Sequence, residues 1–176
     1  MSSPDLELVT IGHSAHPIER FLSLLQMHGI QQLVDVRSVP GSRFHPQYNQ
    51  RRLESALQAA GIRYLYLGDV LGGRPTDPTV YPDGKPSAPS ARPPRPPVWE
   101  RVMERDWFQG GIEQLLQAAG QVRTVILCSE EDPARCHRHH LIAAYLSRRH
   151  PEVKVLHVRG SGEVEPASLL GFDKSL

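Results

Sequence analysis

The sequence predicts an α/β fold in which a mostly parallel, Rossmann-like sheet is the middle of three layers, flanked by helices. Three observations lead there. Short apolar runs suited to buried strands recur along the chain, stretches of helical periodicity separate them, and Pro or Gly marks the junctions. Strand and helix alternate up to a fifth strand, an order that calls for crossover connections and parallel pairing. A long Pro-rich loop after the third strand is the main interruption.

Residues 6–11 form a short apolar run that fits a buried strand. Residues 17–29 follow with Ile18, Phe21, Leu22, Leu24 and Leu25 at helical spacing, Pro17 suiting the first turn and Gly29 the stop. Residues 33–36 are a second buried strand. Residues 51–60 are a second helix with Leu53, Ala56 and Leu57 on one face, ended by Gly61. Aromatic and aliphatic content makes residues 62–67 a third strand. Residues 68–98 then hold nine of the sixteen prolines and almost no apolar side chain after Tyr81, so neither helix nor sheet interior is expected there. Residues 98–105 and 108–119 read as helical, and residues 122–128 as the most hydrophobic strand. Residues 132–149 read as one helix capped by Asp132 with Pro133 at its first position. Residues 153–158 are the last strand, and no strong pattern follows Gly160. Residues 1–176 read as one domain, with 68–98 as a loop or lid within it.

Composition bounds the function. A chain of 176 residues, 39% hydrophobic and 22% charged, fits one globular domain and excludes a disordered or fibrous protein. The formal net charge of +1 creates no global field toward nucleic acid or an anionic membrane, so a nucleic-acid partner would have to be engaged locally. No apolar run approaches the roughly 20 residues that span a bilayer, and the N-terminal MSSPDLELVT lacks the basic start and apolar stretch of a secretory signal. A cytoplasmic location is the expectation. In such a reducing compartment, Cys128 and Cys136 read as free thiols, metal ligands or catalytic groups rather than a structural disulfide.

In a parallel α/β sheet the loops at the carboxyl ends of the strands share one edge, and ligands bind there. The segments on that edge are chemically rich. They carry Gly12-His13-Ser14, Asp35-Val36-Arg37, Arg43 with its neighbours, Gly72-Gly73-Arg74, Cys128 to Asp132, and Cys136-His137-Arg138. The opposite edge carries only Gln31-Gln32, Gly61 and Gln121. Such one-sidedness is what an active-site crevice produces.

The stretches TIGHS at 10–14, LVDVRSVPGSRFHPQYN at 33–49, GIRYLYLGDVLGGR at 61–74 and VILCSEEDPARCHRHHLIAAYL at 125–146 resemble, in order, the successive motifs of the domain of unknown function 488 family. The resemblance implies a three-layer α/β fold and an enzymatic activity whose reaction is undefined. It implicates His13, Asp35, Arg37, Arg43, Arg74, Cys128, Glu130, Cys136, His137 and Arg138. In outline, Asp-Val-Arg at one strand end and a cysteine at another are also similar to rhodanese sulfurtransferases and cysteine phosphatases. Six residues separate Cys128 from Arg135, however, where the phosphatase pattern has five, and three of the six are acidic. Those carboxylates are expected to repel an anion from Cys128.

The residues themselves suggest roles. Arg37, Arg43, Arg74 and Arg138 suit an anionic, nucleotide-like or phosphate-bearing ligand, because guanidinium forks hold such groups bidentately. Asp35 joins this binding set, although an Asp35–Arg37 pair that orients its own loop is the competing reading. His13, Glu130 and His137 are the candidate acid–base groups. Cys136, placed by the pattern in the first turn of a helix beside His137 and Arg138, is the more reactive thiol, while Cys128 at the end of a buried strand reads as inert. A zinc site drawing on Cys128, Cys136, His137 and His140 is conceivable, but the spacing matches no standard signature, and no metal ligand is assigned. The expected activity is that of an enzyme on a small anionic ligand. The alternatives are a nucleic-acid-binding module and a thiol or metal site centred on the two cysteines; no cofactor is indicated.

Overall fold

A computed structural model describes residues 5–172. Five strands, Leu6–Gly12 (β1), Gln32–Asp35 (β2), Arg63–Tyr66 (β3), Thr124–Cys128 (β4) and Val153–Val158 (β5), pair in parallel. A short strand, Val164–Pro166 (β6), pairs antiparallel with β5, giving the order β3-β2-β4-β1-β5-β6. The helices are Ile18–Met27 (α1), Gln50–Ala59 (α2), Gly68–Leu71 (α3), Trp99–Met103 (α4), Asp106–Ala119 (α5), Ala144–Arg149 (α6) and Ala167–Leu170 (α7). This is an α/β protein with a mostly parallel six-stranded sheet flanked by helices.

Strand alternation builds two cores, one on each face of the sheet. Val9 and Ile11 of β1 and Val125 and Leu127 of β4 pack with Phe21, Leu24 and Leu25 of α1 and Leu53 and Leu57 of α2. Leu8 and Ile126 point the other way, toward Phe108, Ile112 and Leu115 of α5 and Tyr145 and Leu146 of α6. The chain leaves β1, passes β4 to reach β2 and β3, then returns to β4 and passes β1 to reach β5. Right-handed crossovers travelling in opposite directions place their helices on opposite faces, which explains why α1 and α2 share one core and α5 and α6 the other. Because β1 and β4 are neighbours whose following loops depart to opposite faces, a crevice opens between those loops at the carboxyl edge.

Three expectations need correction. Residues 132–149 are not one helix. Asp132 does cap a turn, accepting the Ala134 amide at 3.0 Å, but the turn is the short 3₁₀ segment Pro133–Arg135. Cys136 then has extended backbone (φ −130°, ψ 144°), Arg138–Ala143 is π-helical, and α-helix begins only at Ala144. The wide π turn lets the adjacent Arg138 and His139 both reach inward, to Thr10 of β1 and His157 of β5. Where no pattern was read after Gly160, residues 164–170 form β6 and α7, elements too short for periodicity to reveal. The proline-rich stretch is in part structural. It opens with α3 and contains a 3₁₀ turn, Pro78–Val80, and Val80 and Tyr81 are buried in the α5 core. The exposed irregular part is confined to residues 82–96.

Candidate functional site

The carboxyl-edge crevice has a volume of about 840 Å³ and is walled by residues 13–15, 37–45 and 128–137, with Gly73, Arg74 and part of residues 89–99. It collects every residue that the family resemblance implicates except Asp35 and Arg138, which lie behind its wall.

At the end of β2, Asp35 is fully buried and receives Arg37 twice, Nε to Oδ1 at 2.9 Å and Nη2 to Oδ2 at 2.7 Å, as well as the Tyr64 hydroxyl at 2.8 Å. Arg37 Nη1 donates to the Tyr48 carbonyl at 2.9 Å. The pair thus satisfies itself and fixes its own loop, which favours the orienting reading over direct contact with a ligand. Tyr66 adds to the same loop by donating to the Arg37 and Ser38 carbonyls.

His13, at the end of β1, stacks on Tyr48 with ring centroids 4.2 Å apart. Its Nδ1–H donates to the Ser14 carbonyl at 2.8 Å, leaving Nε2 to accept from Arg37 Nη1 at 3.4 Å. Burial, assisted by the Arg37 charge, lowers its pKa to about 4. With its lone pair facing a guanidinium, His13 is a neutral wall group and a poor proton acceptor, contrary to its expected catalytic role. Gly12 beside it is required by close approach, since a Cβ there would stand 1.7 Å from the Glu130 carbonyl oxygen.

The loop after β4 is held from behind. Arg138 is fully buried, donates from Nη1 to the Glu130 carbonyl and from Nη2 to the Glu131 carbonyl at 2.8 Å, and its Nε donates to Thr10 at 3.1 Å. Its expected place among the anion-binding arginines is therefore corrected, because its donors are spent on backbone and on Thr10. With two carbonyls of the loop turned toward Arg138, the amides of Glu130, Glu131 and Asp132 donate to no acceptor among the described residues. The acidic side chains of the loop are less forbidding than their number suggested. Arg159 holds the Glu131 carboxylate at 3.0 and 2.8 Å, and Asp132 caps its own turn, which leaves Glu130 exposed at the rim.

At the floor of the crevice lie Cys128, Cys136 and His137. The Cys128 and Cys136 sulfurs are 3.6 and 3.8 Å from His137 Nδ1. His137 Nε2–H donates to the Val36 carbonyl at 3.1 Å, so Nδ1 is the nitrogen left to exchange a proton with the sulfurs. Gly73 packs against that ring, its absent Cβ just 3.0 Å from it. The sequence reading made Cys136 the more reactive thiol, whereas the surroundings favour negative charge on Cys128. The Cys128 thiol is held well below the usual thiol range, first by a hydrogen bond from the Cys136 thiol, then by the His137 and Arg138 charges, which outweigh burial. Cys136 is pushed well above that range by burial and by Cys128. Burial opposes charge on His137, but the Cys128 charge and hydrogen bond raise it on balance. Cys136 stands just before the helical turn, its carbonyl accepting the His139 and His140 amides and its sulfur the Arg138 amide, but that support is outweighed by burial and by Cys128.

One sulfur from each cysteine and one His137 nitrogen lie within 4.8 Å of one another, a separation three ligands of one cation would have. No fourth His, Cys, Asp or Glu joins them among the described residues. His140, considered with them from the sequence, turns away to the Ala134 carbonyl at 2.6 Å.

The arginines divide. Arg43 is exposed on the crevice wall, and no ion pair engages it among the described residues. Arg74 lines the crevice and tethers the proline-rich segment through the Pro89 carbonyl at 2.6 Å. Arg92, Arg95 and Arg135 also line it and were not anticipated. Arg92 and Arg95 lie in the proline-rich run, where only the fold reveals which wall they face. Arg135 was legible as a neighbour of Cys136.

Comparison with curated proteins and with solved structures gave no match. A family model does match, over residues 17–146, a span that runs from the start of α1 through β4 and its loop to α6 and so takes in Asp35, Arg74, Cys128, Cys136 and His137. The chain accordingly belongs to the family described as Domain of unknown function DUF488.

Proposed function

We propose that the protein is an enzyme in which Cys128 acts as a thiolate nucleophile on a small anionic ligand, with His137 as its acid–base partner. The observation that carries this reading is the 3.6 Å contact of Cys128 Sγ with His137 Nδ1 on the floor of an arginine-lined crevice. A thiolate beside an imidazolium is a stronger nucleophile at neutral pH than a free thiol, and protonated imidazole can return its proton to a leaving group. The unpaired loop amides of Glu130, Glu131 and Asp132 support anion binding next to the sulfur. Arg43, Arg74, Arg92 and Arg135 support it at the walls, while Arg95 is ion-paired with Asp83. Phe44, 84% exposed, and Trp99 offer faces for a nucleotide-like base. The position at the switch between β1 and β4 is where Rossmann-like sheets hold their ligands. Residues 82–96 act as a lid over the site, tethered by Arg74.

Competitive alkylation tests this reading. Iodoacetate and iodoacetamide differ in charge and little in size. Peptide mapping by mass spectrometry should locate the label on Cys128, with iodoacetate reacting faster than its neutral partner, the reverse of their order with a free thiol. Cys128→Ser should lose the label, and Arg43→Ala with Arg135→Ala should reduce the preference for iodoacetate severalfold. Labelling confined to Cys136, or a tightly bound metal quenching both thiols, would overturn the proposal.

A further inference from the structure

Single-thiol chemistry leaves Cys136 without a task, although it is buried against the reacting pair. Its sulfur shares Nδ1 of His137 with Cys128, the two sulfurs lie within 4.8 Å of each other, and the Arg138 amide donates to the Cys136 sulfur at 3.5 Å. Its extended backbone sits between a 3₁₀ turn and a π turn, so it is not locked into a regular helical ladder. Resting on the nucleophile reading above, we propose that Cys136 is a resolving thiol, and that the substrate class is a disulfide whose arms carry carboxylate or phosphate groups.

The steps balance. The Cys128 thiolate attacks one sulfur of the substrate RS–SR, forming Cys128–S–SR and expelling RS⁻, which takes the proton of the His137 imidazolium. His137, now neutral, accepts the Cys136 proton at Nδ1, and the Arg138 amide steadies the charge left on the sulfur. The Cys136 thiolate attacks the Cys128 sulfur, forming the Cys128–Cys136 bond and expelling the second RS⁻, which is protonated by His137. Two electrons have passed from the cysteine pair to the substrate, and an external dithiol restores the pair by exchange. The arginine-lined walls select the anionic arms.

The test is a single turnover with oxidised glutathione, a disulfide with carboxylate arms, followed by intact-mass and peptide analysis. Cystamine, whose arms are cationic, serves as the charge control. The wild-type chain should finish without adduct, lighter by two hydrogens, having released two glutathione molecules. Cys136→Ser should release one and keep the other as an adduct on Cys128, and Cys136→Ala should do the same, with thermal melting confirming that both variants are folded. Cystamine should react at least tenfold more slowly. An adduct that persists on wild-type Cys128 would overturn the resolving role while leaving the nucleophile intact. Absence of any Cys128 adduct in both Cys136 variants would overturn the two proposals together.

Discussion

Asp35 and Arg37 show how much of this site rests on groups that touch no ligand. Their ion pair is buried on both sides, with the carboxylate fully inaccessible and the guanidinium 3% exposed. Pairs of this kind contribute little net stability when intact, but loss of one partner strands the other charge and typically costs about 3–5 kcal/mol. Asp35→Ala is expected to fall in that range in urea unfolding and to loosen the turn that carries Val36, the acceptor of the His137 ring. The same logic ranks the cysteines. Burial alone would have made both inert, and it is the arrangement of one thiol as donor, the other as acceptor and His137 beside them that separates them. None of that arrangement is visible in the spacing of residues 128 and 136.

The strand-to-loop junctions do most to place the chemistry. β1 and β4 run side by side to Gly12 and Cys128, and beyond them the backbone continues to pair, His13 donating to the Cys128 carbonyl at 3.0 Å and Ser14 to that of Ser129 at 2.9 Å. Ser14 accepts a left-handed backbone (φ 48°) to make this turn, a conformation non-glycine residues seldom adopt. Behind the loop, Arg138 Nε donates to Thr10, the Thr10 hydroxyl to His157 Nδ1 at 2.7 Å, His157 Nε2 to His139 Nδ1 at 3.0 Å, and His139 Nε2 to the Gly171 carbonyl at 2.8 Å. Each donor has one acceptor, so the chain of bonds sets both imidazole tautomers. Gly12→Ala should push the Glu130 carbonyl out of its place against Arg138. Alkylation of Cys128 should then slow by about tenfold or more while far-ultraviolet circular dichroism stays close to wild type. An unchanged rate would show that the loop position does not govern the thiol.

For the whole molecule, the buried histidines couple stability to pH. His13 is lowered to about 4 and His157 to about 3, both chiefly by burial, so each is neutral in the folded protein through the mildly acid range where an unfolded histidine takes up a proton. Stability is therefore full above the ordinary histidine value near 6.5 and is lost as pH falls below it, by at most about 1.4 kcal/mol per pH unit for each group. The loss continues toward the folded values. Urea midpoints should fall steeply between pH 6.5 and about 4, and replacing His157 with Gln should flatten the slope. Much of this frame was legible in the sequence, because the five parallel strands announce themselves as apolar runs and their loops carry the reactive residues. What escaped depended on tertiary contacts. Two inward-facing residues, Arg138 and His139, go with a π turn where a regular helix was expected, and periodicity does not show it. Arg138 was read as a ligand-binding arginine because nothing in its neighbours marks it as the anchor of the loop. Arg92 and Arg95 join the crevice only through the path of the proline-rich segment.

The central claim, that Cys128 is a thiolate beside a charged imidazole, is tested most directly by the rate of its alkylation by iodoacetamide as a function of pH, followed site by site. Only the thiolate reacts, so a free thiol slows about tenfold for each pH unit below its ordinary value near 8.5. A Cys128 rate that holds its plateau through neutral pH and declines only below it, and that shifts toward the free-thiol profile in His137→Ala, is the predicted result. A tenfold decline per unit beginning near 8.5 in the wild-type protein would contradict the account.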